Sequence, residues 1–379
     1  MEWLTMKVII AMDSFKGSLR ADEACEIIAD AINECIPGIE LVLKPMADGG
    51  EGTARALMTA SNGRWIEQRV MGPLPQMQVD AGFVWFEDKT ALVEMASASG
   101  LELLSPEQMN PLRTTTYGTG QLIKAALEYG ARKILLAVGG SATVDGGLGA
   151  ASALGWKFLD EQGEPVPLGG AGLETLSEIV KPENPDLVPV EVLCDCDNPL
   201  CGELGAAKVY APQKGANPEM VEHLEKALAH LAEVVRRQLQ REICHVPGAG
   251  AAGGLAAGAM AFMNAELVSG VETVMARSGL RAELESADWI ITGEGSFDHQ
   301  SLYGKVVSGI LKLARQAHVK VAVLAGQVKI SAREYQKIGI VMAVPIRPDN
   351  MSLDEAVANS RPLLHSAAKT FARRYLGPL

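Results

Sequence analysis

"KVIIAMD" (residues 7–13) and "IELVLKP" (39–45) bracket "SFKGSLRADEACEIIADAINECI" (14–36), and this order decides the fold. The outer stretches are short apolar runs with β-branched residues, which read as buried strands; the middle one repeats apolar residues at helical spacing. "GEGTARALMTA" (50–60) then supplies a second helix. A β-α-β-α opening predicts a parallel sheet with helices on its faces. The pattern changes from about 65 to 95, where "RWIEQRVMGPLPQMQVDAGFVWFEDKTALVEMA" reads as several strands with Gly, Pro and Asp turns and no helix between them. Such a run suits an antiparallel or mixed sheet. Alternation resumes with helix "TGQLIKAALEYG", strand "KILLAVGG", helix "DGGLGAASALG" and strand "VEVLCD". A long helix follows, with Asn217 as N-cap and Pro218 at its first position. Next comes a Gly/Ala-rich helix. The last third reads as strand "DWIITGEG", helix "KVVSGILKLARQA", strands "VKVAVLAG" and "IVMAVPI", and a closing helix from Asp354.

The two ends share one style and the middle has another. The expectation is therefore α/β, with one parallel-sheet domain from 1–64 and 265–379 and a second α/β domain, 65–264, inserted in it. A chain of 379 residues exceeds what one core usually supports, which agrees with two domains.

Composition narrows the function classes. The chain is 48% hydrophobic and 21% charged, and 46 acids against 34 bases give a net charge of −12. No basic face stands out, so nucleic acid is not an expected partner. Six cysteines form no C-x-x-C pair and the six histidines no H-E-x-x-H, which speaks against zinc and a disulfide scaffold. The thiols read as buried or idle in a reducing cytosol. With no charged leader before an apolar core and no run of 18 apolar residues, the expectation is a cytoplasmic protein without membrane contact. "MEWLT" before Met6 reads as an extension.

Ligands in open α/β sheets lie beyond the carboxyl ends of the strands. Five strand ends here carry polar, glycine-bracketed loops: "AMDSFKGS", "MADGGEGT", "AVGGSATVDGG", "LCDCDNP" and "ITGEGSFD". Any one could be a capped turn; in "MADGGEGT" that reading competes with a site for an anion and its metal. Five together point to a composite polar site. Glycines let backbone N–H groups approach an anion, and helix N-termini direct partial positive charge at it. In "VGGSATVDGG", Gly139 and Gly140 leave a strand, Ser141 and Thr143 add hydroxyls, and Asp145 is either a site residue or a plain N-cap. Asp48, Glu51, Asp195, Glu294 and Asp298 could bind Mg²⁺ directly or through water. Lys16, Lys214 and Lys305 are set among glycines rather than on solvated faces. Carboxylates, a metal and placed lysines around glycine loops are the parts of phosphoryl transfer. "GAGAAG" (248–253) matches G-x-G-x-x-G, yet the stretch before it is a poor strand, which argues against nicotinamide binding. No Walker motif occurs.

Taken together, "DSFKGSL", "ADGGEGT", "TTTYGTG", "GGSATVDGG", "CDCDNPL", "APQKGA", "GAGAAGG" and "TGEGSFDHQSLYGK" resemble the bacterial glycerate kinase family, which includes the glycerate 2-kinases. The resemblance runs from Met6 nearly to the C-terminus. It implies ATP-dependent phosphorylation of D-glycerate, usually at the 2-hydroxyl, and a flavodoxin-like domain interrupted by a second α/β domain. Val144 departs from the family pattern, as do Ser296 and Phe297, which stand where many relatives have Arg and an aliphatic residue.

On that basis ATP and Mg²⁺ are the expected cofactors, with Asp48, Glu294 and Asp298 as metal ligands. Gly49, Gly50, Thr53, Gly139, Gly140, Ser141, Thr143, Gly293 and Lys305 are expected at the nucleotide. Asp13, Ser14, Asn198 and Gln213 are expected at the acid substrate. Asp195 is assigned as the base, while Lys16 and Lys214 offset charge on the transferring group. The 3-hydroxyl, a related hydroxy acid, a nicotinamide-dependent dehydrogenase and a non-catalytic sensor are the alternatives. A homo-oligomer stays open.

Overall fold

The computed structural model describes residues 6–183, 188–302 and 305–377. The chain divides into two compact units. Unit 1 comprises Met1–Asp48, Arg55–Asn62 and Val271–Leu379, and unit 2 comprises Gly49–Ala54 and Gly63–Gly270.

Unit 1 holds a five-stranded, all-parallel sheet. Its order is Ile340–Pro345, Lys320–Ala325, Trp289–Gly293, Lys7–Met12, Glu40–Leu43. Counted in chain order from the other edge this is 2-1-3-4-5, the flavodoxin order, whose switch point lies between the first and third strands. These two strands pair in register, with Met12 opposite Gly293. Lys7–Met12 is buried along its whole length, so its run of Val8, Ile9 and Ile10 follows from having a covered face on either side. Helix Ala21–Cys35 buries Ala24, Cys25, Ile28, Ala31 and Ile32 in one core with Leu364, Ala368 and Phe371 of helix Ser360–Phe371. Each fully buried Ile or Leu there contributes about 1.5–3 kcal/mol relative to exposure.

Unit 2 holds a six-stranded mixed sheet. Its order is Glu266–Val268, Val190–Leu193, Lys133–Ala137, Thr90–Glu94, Gln78–Trp85, Arg64–Met71. The last three strands form an antiparallel meander, and parallel pairing begins where Thr90–Glu94 meets Lys133–Ala137. Helix Pro218–Leu239 begins as the sequence suggests, with Asn217 Oδ1 accepting from Met220 N at 2.9 Å.

Three features differ from the sequence reading. The later junction between the units lies at 270/271 rather than 264/265, because the short strand Glu266–Val268 pairs with Val190–Leu193. Gly49–Ala54 belongs with unit 2, and the first junction otherwise falls at 62/63 rather than 64/65. A helix, Ala332–Lys337, separates the last two strands. Its signal is a capping box, Ser331 and Glu334.

Candidate active site

In unit 1 the first and third strands run out side by side, and their next residues are Asp13 and Glu294. Asp13 N–H donates to Gly293 O at 2.9 Å, which fixes the two loops together. Gly293 has no room for a side chain, since a Cβ would stand 1.7 Å from Leu324 O. Its glycine is therefore required by strand packing. Burial pushes the Asp13 carboxyl up to about 7, and the neighbouring charges of Asp48 and Glu294 push the same way, against Ser14 N–H and Lys16. Ser14 N–H donates to Asp13 Oδ1 at 2.7 Å. Glu294 is also raised, by burial first and then by Asp298 and Asp48, with Ser301 and Lys305 opposing. Its Oε1 is buried without a hydrogen-bond partner. Asp298 is partly satisfied by its own loop, accepting from Gln300 N–H at 2.9 Å and from the Ser296 hydroxyl at 3.3 Å.

These carboxylates bear on the question of a metal. Among the described residues no three of His, Cys, Asp or Glu converge to form a cage, so Asp48, Glu294 and Asp298 do not assemble as a complete ligand set. An all-oxygen group with one orphaned carboxylate oxygen nevertheless fits Mg²⁺, which is commonly held by one or two carboxylates plus substrate phosphates.

In unit 2 the loop after Thr90–Glu94 and the glycine loops are tied together by buried hydrogen bonds. Gly52 N–H and Ala54 N–H donate to the two carboxylate oxygens of Glu94, each at 2.8 Å. Glu94 thus caps helix Thr53–Ala60 at its N-terminus. Burial raises its pKa, and the two amides pull it back. Thr53 is fully buried and its hydroxyl donates to Gly50 O at 2.7 Å, closing the loop. Sequence reasoning missed Glu94. It stands at the end of a strand with no glycine beside it, and nothing local marks it.

Gly139 meets this loop directly. A Cβ there would lie 2.4 Å from Gly50 Cα and 2.6 Å from Glu51 N. Gly49, with φ of 84°, has Leu193 against it in the same way. Gly140 is left-handed as well, with φ of 69°.

Lys214, expected to face the transferring phosphoryl group, is instead fully buried. Its Nζ donates to Ser141 Oγ at 2.6 Å and to Thr143 O at 2.7 Å. Burial pushes this ammonium down to about 7, against the pull of Asp145. The lysine therefore shapes the loop that carries Ser141 and Thr143. Thr143 Oγ1 is buried without a partner.

Asp145 resolves as a cap. It accepts from Thr116 N–H at 2.7 Å, the Thr116 hydroxyl at 2.9 Å and Gly147 N–H at 3.1 Å. Asp195 is exposed just beyond strand Val190–Leu193. Asn198 holds its own loop, donating to Leu204 O and accepting from the Tyr210 hydroxyl at 2.7 Å. Gln213 and Lys16 are exposed; Lys305 is half-buried at the start of helix Val306–Ala317.

The structure thus groups the candidates by unit. Asp13, Ser14, Lys16, Asp48, Gly293, Glu294, Asp298 and Lys305 belong to unit 1. Gly49, Gly50, Thr53, the 139–143 loop, Asp195, Asn198, Gln213 and Lys214 belong to unit 2. "GAGAAG" follows no strand. Ala252 and Gly253 there adopt left-handed backbone, and a Cβ on Gly253 would stand 2.0 Å from Thr143 O. The stretch braces the Thr143 loop.

Residues 8–376 match the model of the glycerate kinase family. The chain belongs to the glycerate kinase family. It is 44% identical over 369 residues to a glycerate kinase of Halalkalibacterium halodurans, covering 96% of this chain and 97% of that one. It is 40% identical over 371 residues to the glycerate 2-kinase of Escherichia coli, covering 97% of each. A crystal structure of a candidate glycerate kinase 2 from Salmonella typhimurium LT2 superposes with a TM-score of 0.84 at 39% identity, covering 97% of each chain. The chain is thus a kinase of α/β architecture. Among the described residues no helix is long and apolar enough to cross a membrane.

Proposed function

We propose that this kinase transfers the γ-phosphoryl group of Mg-ATP to the 2-hydroxyl of D-glycerate, in the cytoplasm. The observation that carries the mechanism is the carboxylate group at the switch point of unit 1. Asp13 and Glu294 follow paired strand ends, and burial first, then the charge of Asp48, keeps both reluctant to ionise. A divalent cation relieves that repulsion. Glu294, through its orphaned oxygen, and Asp48 would hold Mg²⁺, with Asp298 beside them; the ion supplies charge neutralisation for the triphosphate.

The protein's own residues do the rest. Lys16, on the loop after Asp13, offsets charge on the phosphates, and Lys305 does so from the start of its helix. Lys214 acts at one remove, holding Ser141 and the Thr143 carbonyl so that the Gly139–Thr143 loop keeps one conformation. Asp195, exposed at a strand end, accepts the glycerate hydroxyl proton.

Two measurements test this reading. With enolase and pyruvate kinase as the only coupling enzymes, D-glycerate and Mg-ATP should yield pyruvate. A signal that appears only after phosphoglycerate mutase is added would assign the 3-hydroxyl. Asp195→Asn should lower kcat about 10²–10⁴-fold with little change in the KM for glycerate. Near-normal turnover would place the base elsewhere.

A further inference from the structure

A half-open groove enclosing about 80 Å³ lies at the carboxyl end of the unit 1 sheet, lined by residues that follow four of its strands. The walls are of two kinds. Phe15 and Ile346 form a buried apolar floor, while Leu353 and Val357, one turn apart on helix Leu353–Ala358, remain 56% and 38% exposed. Lys16 and Arg347 supply two cations, and no Asp or Glu is among the described residues lining the space. Arg347 is held in place by its Nη1, which donates to Met351 O at 3.1 Å.

The backbone also comes close. Gly295 and Gly326 line the cavity, and a Cβ on Gly326 would stand 2.3 Å from Gly295 O. Ser18, another lining residue, has a buried hydroxyl without a hydrogen-bond partner. Gln327 contributes an amide to the lining.

A three-carbon hydroxy acid has no flat apolar face to set against Leu353 and Val357. The wall asks for a ligand with an apolar body, and Lys16 and Arg347 ask for one that is anionic. A purine nucleotide has both. We propose that this cavity takes the nucleoside end of the phosphoryl donor. Its base lies against Phe15, Ile346, Leu353 and Val357, and its phosphates pass Lys16 and Arg347 toward Asp13 and Glu294. The cavity adjoins those carboxylates through the chain itself, since Lys16 lies three residues after Asp13 and Gly295 follows Glu294. This assignment rests on the phosphoryl-transfer reading above.

The test uses the full chain carrying Leu353→Glu and Val357→Glu, singly and together. Both positions are exposed, so circular dichroism and Tm should match the parent. Calorimetry with Mg-ADP in the absence of glycerate reads the cavity independently of turnover. The double variant should weaken ADP binding and raise the KM for ATP by about tenfold or more, with the KM for D-glycerate within about twofold of the parent. Unchanged ADP affinity in the double variant, a rise in the glycerate KM instead, or no ADP binding by the parent would overturn the assignment. Parent protein that binds ADP in this cavity yet phosphorylates no glycerate would sink the proposed reaction and leave the cavity assignment standing.

Discussion

Lys214 offers a test of the structure that needs no substrate. A lysine moved from water to an enclosed site with two neutral acceptors loses more hydration than it regains, and its proton is held less tightly. Its value falls from 10.5 in the unfolded chain to about 7 in the fold. The sign follows from proton counting. Between these values the unfolded chain binds the proton and the native one does not, so native stability rises with pH. The penalty is fully present below the folded value and disappears as pH rises through the unfolded one. At about 1.36 kcal/mol per unit, integration from pH 7.5 to 9.0 gives the parent roughly 2 kcal/mol over Lys214→Met. The two hydrogen bonds lost in the variant shift its stability by an amount that does not vary with pH, so they cancel in this comparison. Urea unfolding of both proteins at the two pH values measures the difference, urea being uncharged and leaving electrostatics unscreened. Parallel pH profiles would refute the reasoning, because they would mean that Lys214 stays ionised in the fold.

Glu94→Gln should lower stability by about 1–3 kcal/mol, since one of the amides at Gly52 and Ala54 meets a side-chain NH₂ in place of an acceptor; thermal unfolding at pH 7 reads this. Gly139→Ala should cost about 1–3 kcal/mol and depress kcat, because the new methyl must displace the backbone at Gly50. Chelation by EDTA should abolish turnover and added Mg²⁺ restore it. Glu294→Gln should raise the Mg²⁺ concentration needed by about tenfold, and an unchanged requirement would remove Glu294 from the metal site.

What could be read from the sequence was whatever left a periodic or glycine signature. Lys7–Met12 and helix Ala21–Cys35 are buried apolar periods, and the parallel order follows from the alternation; strand Glu40–Leu43, expected to be buried, is instead a partly exposed edge strand. The antiparallel meander was visible as strands without an intervening helix. The strand Glu266–Val268 was hidden because three residues carry no period, and helix Ala332–Lys337 because its residues are all outside the core and only the Ser331–Glu334 box marks it. The chemical loops were legible as a set, since several glycines at successive strand ends are costly in propensity. Their individual duties were not. Gly293 looks like a phosphate glycine and is required by Leu324 O; Asp145 looks like a site acid and caps Gly147; Lys214 looks like a phosphate lysine and faces inward. Each duty depends on a neighbour far away in sequence, which spacing cannot reveal.

That contrast separates the polar residues of the two units by how they are satisfied. In unit 2 Glu94, Asp145 and Lys214 meet backbone amides, hydroxyls or carbonyls, so their buried polarity is spent on fixing loop shape. In unit 1 Asp13 and Glu294 are raised by burial and by the charge of Asp48 and receive fewer donors, and Glu294 Oε1 receives no hydrogen bond. A group of carboxylates left in this condition costs stability that a purely structural role would not repay. On the proposed reading, a cation carried by a metal-bound triphosphate would recover that cost. The buried charged groups Glu94, Asp145 and Lys214 of unit 2, already paired, have no comparable need for an ion. Binding the metal–nucleotide should therefore raise the stability of the protein most where the carboxylates lie, and Asp13→Asn with Glu294→Gln should shrink the Mg-ADP-dependent rise in Tm. An equal rise in parent and variant would place the cation elsewhere.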